Sequence, residues 1–205
     1  MNRNYQKELD RVLSDIDKSG EKPSLLLHSC CAPCSSYVLE YLHQYFRITV
    51  YYYNPNITEK AEYDKRIQEV KRLIEEMKLV DVDVLEGEHD PKSFFAMAAR
   101  WPGEKEGGLR CYDCYKMRLM DTARTAAAKG YDYFTTTLSI SPHKNARWLN
   151  ELSEEAQALY GVKCLPADFK KRNGYKRSIE LSAEYNLYRQ DYCGCIFSKK
   201  ERESL

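Results

Sequence analysis

"SLLLHSCCAPCSSYVLEYLHQYF", residues 24–46, decides the fold. "SLLLHS" is an apolar run of strand length, and "CSSYVLEYLHQYF" has the apolar spacing of a helix. The chain therefore passes from a buried strand into a helix through a turn that carries Cys30, Cys31 and Cys34. Outward from this unit the alternation repeats. "RITVYYYNPN" reads as a second strand running into a Pro and Asn turn, a charged helix follows from about Glu59 to Lys78, and "VDVDVLEG" alternates as a third strand. A helix over roughly Cys114 to Lys129 leads into "YDYFTTTLSIS" as a fourth strand. "ARWLNELSEEAQALYG" is amphipathic, "VKCLPADF" is a fifth strand, and "SIELSAEYNL" is the last clear helix. Upstream, Tyr5, Leu9, Val12, Leu13 and Ile16 form a helical stripe. Strands alternating with helices pair in parallel through right-handed crossovers, which predicts an α/β fold with helices on both faces of a parallel sheet. Such sheets bind ligands outside the carboxyl ends of their strands. The cysteine turn, "YYYNPN" and "TTLSISPHKN" all fall there.

Length and charge narrow the reading. At 205 residues the chain suits one core, residues 1–205, with segments 89–120 and 169–198 completing the site of the thiols. Lys and Arg number 32 against 31 Asp and Glu, so binding to nucleic acid must come from a local patch rather than the total. No apolar run approaches the about 20 residues that span a bilayer, and the charged N-terminus lacks the apolar core of a signal peptide. The expected location is the cytoplasm, with no membrane partner.

In that compartment clustered thiols are more often metal ligands or catalytic groups than structural bridges. Cys30, Cys31 and Cys34 form one group, Cys111 and Cys114 a second, and Cys193 and Cys195 a third. Cys164, in an apolar run without other ligands, reads as a small hydrophobe. "CAPC" alone resembles a dithiol exchange motif, but the neighbouring Cys30 supplies more sulfur than that chemistry needs. Two pairs meeting at one sheet edge could offer four thiolates, which zinc and an iron–sulfur cluster both accept. The C-x-C pair near the C-terminus would close a small strained ring that is readily reduced.

Taken together and in order, "HSCCAPC", "GLRCYDCYKMRL", "TTLSISPHKN" and "YRQDYCGC" resemble the cobalamin-independent epoxyqueuosine reductases, the QueH family. The resemblance runs from about Leu25 to Ser198. It implies a Rossmann-like fold of the nucleotide α-hydrolase (HUP) kind, and reduction of epoxyqueuosine to queuosine at the wobble position of tRNA. It also implies a four-iron, four-sulfur (4Fe-4S) cluster with a further iron ion beside it. Carried over by position, the cluster falls to Cys30, Cys31, Cys111 and Cys114, and the redox-active disulfide-forming pair to Cys193 and Cys195. Cys34 and Asp113 remain as candidates for the additional iron, with Asp113, His28 and Tyr112 as possible proton donors. The partners implied are tRNA carrying epoxyqueuosine and an electron donor that the sequence leaves unidentified.

Removing an epoxide oxygen to leave an alkene takes two electrons and two protons, while a cluster delivers electrons singly, so a second redox element is useful. For tRNA, "FKKRNGYKRS" offers Lys170, Lys171, Arg172, Lys176 and Arg177 for phosphates. Phe169 and Tyr175 are interleaved for stacking, and Lys144 and Arg147 lie nearby in the chain's motifs. Two other readings stand beside this one. An ATP-dependent tRNA-modifying enzyme of the pyrophosphatase-loop type would place a Gly- and Ser-rich loop after the first strand, where this chain has "HSCCAPCSS". A zinc-stabilised RNA-binding module would need the thiols but no redox pair.

Overall fold

Leu25, Leu26 and Leu27 are all fully buried, and they alternate across the first strand: Leu25 and Leu27 enter one apolar cluster and Leu26 another. A strand whose two faces both meet core must lie inside a sheet covered on both sides. The computed structural model, which describes residues 3–204, has that arrangement. Strands β1 (Ser24–His28), β2 (Arg47–Tyr52), β3 (Asp83–Glu86), β4 (Tyr133–Thr136) and β5 (Lys163–Cys164) form one sheet in the order β3-β2-β1-β4-β5. Every pairing is parallel, and His28 sits opposite Tyr51 on one side and Thr136 on the other. Chain order reverses between β1 and β4, which makes the carboxyl end of β1 the topological switch point of a Rossmann-like fold.

On one face lie helices α1 (Tyr5–Ser19), α2 (Ala32–Leu42) and α3 (Lys60–Glu76), whose buried residues join the cluster of Leu25 and Leu27. The other face is covered by α5 (Leu109–Lys129) and α6 (Ala146–Tyr160), through Ala123, Ala126 and Ala156 against Leu26 and Phe134. Between β3 and α5 comes the short α4 (Pro91–Ala98). The chain ends with α7 (Gly174–Glu184), packed beside α2, and α8 (Ile196–Glu203).

Several boundaries differ from the pattern in the sequence, each for a local reason. The fourth strand stops at Thr136, whose hydroxyl accepts from Leu138 N–H and turns the chain into a 3-10 helix over Thr137–Ile140. The fifth strand is two residues long; after Leu165 donates to Phe134 O, Pro166 has no N–H with which to extend the ladder. Helix α5 begins five residues before the expected Cys114, because Glu104 reaches back to accept from Leu109 N–H at 3.0 Å and caps it. Helix α8 was not evident in the sequence, where its eight mostly charged residues carry little apolar signal. Cys164 is half-buried against the Leu26 cluster. No helix among the described residues is long and apolar enough to cross a membrane.

Since Leu27 is fully buried in the larger cluster, Leu27→Ala should destabilise the protein by about 2–5 kcal/mol, read as a lower urea midpoint at unchanged slope. A loss below about 1 kcal/mol would show that the site collapses around the smaller side chain.

Candidate metal and redox site

The turn after β1 is braced before any cysteine is considered. Ser29 donates its N–H to Tyr51 O at 2.9 Å, Asn54 Nδ2 donates to Ser29 O at 2.8 Å, and the Ser29 and Ser35 hydroxyls meet at 2.6 Å. This fixes the chain so that Cys31, in extended conformation, is the N-cap of α2, with a proline in the first turn. Cys30 and Cys31 sulfurs lie 3.8 Å apart, and the sulfurs of Cys30, Cys31 and Cys34 all lie within 4.8 Å of one another. Such a set can hold a metal ion. Within the trio the thiols share charge: hydrogen bonds from Cys30 and Cys34, helped by Arg66, hold Cys31 well below the ordinary thiol range. The same bond to Cys31 pushes Cys30 up to about 12.

The other two cysteine groups also sit at helix starts. Cys111 and Cys114 lie in the first two turns of α5, and Cys111 Sγ accepts from Gly107 N–H at 3.3 Å. Cys195 is the N-cap of α8, its sulfur accepting from Ser198 N–H at 3.4 Å. Burial raises Cys114 to about 11 and Cys195 to about 12. Three helix N-termini, each with positive dipole end and free N–H groups, thus face thiols, and their field works against the burial that otherwise disfavours the thiolate. Gly194 lies between Cys193 and Cys195 at φ +110, and a Cβ there would stand 2.9 Å from both Arg66 Nη1 and Ile57 Cγ1.

Seven of the eight cysteines line two adjoining cavities. The first, of about 210 Å³, is lined by Cys30, Cys31, Cys34 and Cys193; the second by Cys111, Cys114, Cys193 and Cys195. Cys193, Arg118 and Glu106 line both. All eight cysteines are free thiols, so the C-x-C pair is not a disulfide here.

Around these thiols are three buried cations that the motifs did not single out for this purpose. Arg66 and Arg118 are each 1% exposed, and each has a buried Nη2 without a hydrogen-bond partner. Arg66 has Glu62 at 2.7 Å and Cys193 O at 3.4 Å, whereas Arg118 has only Cys114 O at 3.2 Å and the Tyr115 ring. Lys144 Nζ lies 3.2 Å from Cys193 Sγ and 3.4 Å from Glu106. Unmatched buried cations are costly. Four thiolates around iron and sulfide, or around zinc, carry net negative charge, so a thiolate-held metal group supplies the counter-charge that these nitrogens lack. The donor set and its surroundings fit such a group.

Other sequence candidates lie elsewhere. Asp113 is on α5, but its Oδ2 accepts from Trp101 Nε1 at 2.7 Å and Arg100 Nη2 at 2.9 Å, and it lines neither cavity. Its neighbours on the sulfur face, Cys111, Cys114 and Arg118, are three and four residues apart, a spacing that excludes position 113. His28 is fully buried, its Nδ1 2.9 Å from the Thr136 hydroxyl and its Nε2 3.1 Å from Tyr53 O; burial, then Arg118, push it down to about 3. It is a structural strand residue. Tyr112 stacks edge-on against Trp148 at 5.3 Å.

In the basic run, Phe169 is 1% exposed and belongs to the core, so it does not stack on bases. Lys170 pairs with Asp168 at 2.5 Å, Arg172 with Asp10 at 2.5 Å, Arg177 with Glu40 at 2.6 Å and Lys176 with Glu180 at 3.9 Å. Arg147 pairs with Glu151 at 2.7 Å. Only Lys171 of the run makes no ion pair among the described residues, while Tyr175 reaches the first cavity. Arg189, Gln190, Asp191, Tyr192 and Arg202 also line that cavity. Their sequence signal was their position immediately before Cys193 and in the final charged segment.

Fold and site define a Rossmann-like α/β protein with a cysteine centre able to hold a metal, placed where nucleotide-binding versions of the fold cradle phosphate. The chain belongs to the family described as epoxyqueuosine reductase QueH, which residues 25–201 match. It is 46% identical to the epoxyqueuosine reductase QueH of Staphylococcus epidermidis over 200 residues, 95% of this chain and 84% of that protein. To the one from Streptococcus pyogenes it is 44% identical over 207 residues, 98% of this chain and 81% of that protein. To the one from Thermotoga maritima it is 33% identical over 185 residues, 87% and 92% respectively. The chain is accordingly an oxidoreductase.

Because Gly194 combines positive φ with contact on Arg66, Gly194→Ala should cost about 1–3 kcal/mol. It should also displace the C-x-C segment, read as faster alkylation of Cys195 in the variant. Unchanged stability together with unchanged Cys195 reactivity would contradict the contact.

Proposed function

We propose that this chain reduces epoxyqueuosine in tRNA to queuosine, with a four-iron, four-sulfur cluster on Cys30, Cys31, Cys111 and Cys114 and Cys193 and Cys195 as the redox pair. The observation that carries this reading is the convergence of seven cysteines from three helix starts on two cavities that share Cys193. Cys34, whose sulfur lies within 4.8 Å of those of Cys30 and Cys31, would help hold a further iron. When bound, the cluster supplies single electrons, and an adjacent iron supplies a Lewis acid for the epoxide oxygen.

The chain's own residues account for the remaining requirements. Arg66, partly matched by Glu62, and Arg118 set buried positive charge beside the thiol set, and Arg118, with no carboxylate against it, is matched when that set is anionic. Oxidising the dithiol of Cys193 and Cys195 to a disulfide releases two electrons and two protons. Opening the epoxide to an alkene and water consumes the same number. Cys193 meets the open cavity, whereas Cys195 lies behind it, so substrate approaches the pair from the Cys193 side. Tyr175 and Tyr192 line the cavity and offer rings suited to an unpaired base, and Arg189 and Arg202 are the cations there suited to the adjoining phosphates. The ion-paired Lys170, Arg172, Lys176 and Arg177 would contribute only by exchanging their carboxylate partners for phosphate.

Anaerobic incubation with epoxyqueuosine-containing tRNA and a reductant, followed by nucleoside mass spectrometry, should yield queuosine. Stoichiometric zinc without iron in anaerobically purified protein would instead support the RNA-binding module. Cys111→Ala should lose most of its iron and sulfide, and full retention would remove Cys111 from the ligand set. Arg189→Glu should weaken tRNA binding with a shallower salt dependence, whereas an affinity unchanged at low salt would remove Arg189 from the interface.

A further inference from the structure

Lys144 follows the 3-10 turn after β4 and is 8% exposed, a rare position for a lysine unless its ammonium is matched. It has two partners, and the sulfur of Cys193 at 3.2 Å is nearer than the Glu106 carboxylate at 3.4 Å. Glu106 is already engaged: Ser198 donates its hydroxyl to Glu106 Oε2 at 2.7 Å and accepts the Cys193 N–H at 3.1 Å. Burial works against the ammonium, but Cys193, Tyr115 and Glu106 outweigh it and keep Lys144 protonated. The two sulfurs of the pair are therefore not equivalent. Cys195 is buried, caps α8 and has no cation against its sulfur among the described residues; Cys193 opens on both cavities and touches one.

We propose that Lys144 makes Cys193 the reactive sulfur of the pair, holding it as a thiolate while the pair is open and storing the proton that this sulfur gave up. This rests on the reading of Cys193 and Cys195 as a redox pair. The balance closes without another donor. Forming the S–S bond releases two electrons to the substrate, one proton from the Cys195 thiol and one from the Lys144 ammonium, which has lost the nearer of its two anionic partners and keeps only Glu106 at 3.4 Å. The departing epoxide oxygen takes both protons as water. An external dithiol then breaks the S–S bond, is oxidised to its own disulfide and returns two electrons and two protons, re-forming the Lys144 and Cys193 ion pair.

The test uses the full-length metal-loaded protein, reduced and held anaerobic, with iodoacetamide at pH 7 and site-resolved peptide mass spectrometry. In Lys144→Met, alkylation of Cys193 should slow about tenfold while that of Cys195 is unchanged. Redox titration against dithiothreitol should move the pair's midpoint to a more negative potential, because the reduced form has lost its cation. Lys144→Arg should restore both. Glu106→Gln should leave Cys193 at least as reactive as in the unaltered protein; slowing as in Lys144→Met would mean that the network merely holds the segment in place and would overturn the proposal. Unchanged Cys193 reactivity and midpoint in Lys144→Met would overturn it equally. Iron content, measured on each variant, separates these effects from misfolding. If the variants behave as expected but the unaltered protein fails to deoxygenate epoxyqueuosine-tRNA, the functional reading fails while the assignment of Lys144 stands.

Discussion

A guanidinium buried without a carboxylate is the constraint around which this site is organised. Arg118 is 1% exposed, donates to one carbonyl of its own helix and leaves Nη2 without a partner. The groups that would favour its charge if ionised are the thiols of Cys114, Cys193 and Cys30, one from each of three segments far apart in sequence. A buried cation of this kind is tolerable only beside compensating negative charge. The three segments must therefore come together, and a metal group held by their sulfurs, which binds thiols as thiolates, would supply that negative charge. Arg66 repeats the arrangement on the α3 side, with Glu62 as a partial match and Cys193 O bound at 3.4 Å.

The fold brings these charges to one place through its topology. In parallel sheets the helices that follow strands start at the carboxyl edge, so α2 and α5 deliver their N-termini to the same rim, and α8 returns there from the end of the chain. Nucleotide-binding sheets use such N-termini and glycine-rich turns to bind phosphate. Here the turn after β1 has side chains instead of glycines, so backbone cannot approach a phosphate closely. The same dipoles face sulfur, and a cofactor held by thiolates uses the same electrostatic field.

What could be read from the sequence follows from how local each signal is. Leu25 to Leu27 and the cysteine turn announced the central strand and its helix, because apolar run, turn and helix are contiguous. The three cysteine groups were visible as motifs, and all open on the cavities. Arg66 and Arg118 were not visible: each occupies a helix position where arginine is ordinarily solvated, and only tertiary packing buries it. The pairing of the basic run was hidden for a different reason. Its charges are local, but their partners Asp10 and Glu40 lie more than a hundred residues away, and Phe169 turns inward to fill the core. Asp113 stands between two cysteines in sequence yet on another face of the helix, which one-dimensional proximity conceals.

The two sets of sulfurs are mounted differently, and this matches the tasks proposed for them. Cys30 and Cys31 lie in the turn that enters α2, and Cys111 and Cys114 on α5; these helices pack on opposite faces of the sheet through fully buried leucines and alanines. Ligands of a metal group benefit from that rigidity, since misplaced ligands weaken binding. Cys193 and Cys195 lie on a terminal segment anchored by polar contacts and one small apolar cluster: Glu201 accepts from Glu106 N–H, Lys199 pairs with Glu59, Arg66 holds Cys193 O, and Cys195 and Phe197 pack with Phe94, Met97 and Ala98. Segments with few buried apolar contacts belong to the low-stability end of a protein's opening spectrum. A redox pair of the kind proposed, which would meet substrate on one side and an external reductant on the other, can use such a mounting, while the proposed metal ligands behind it remain fixed by the core.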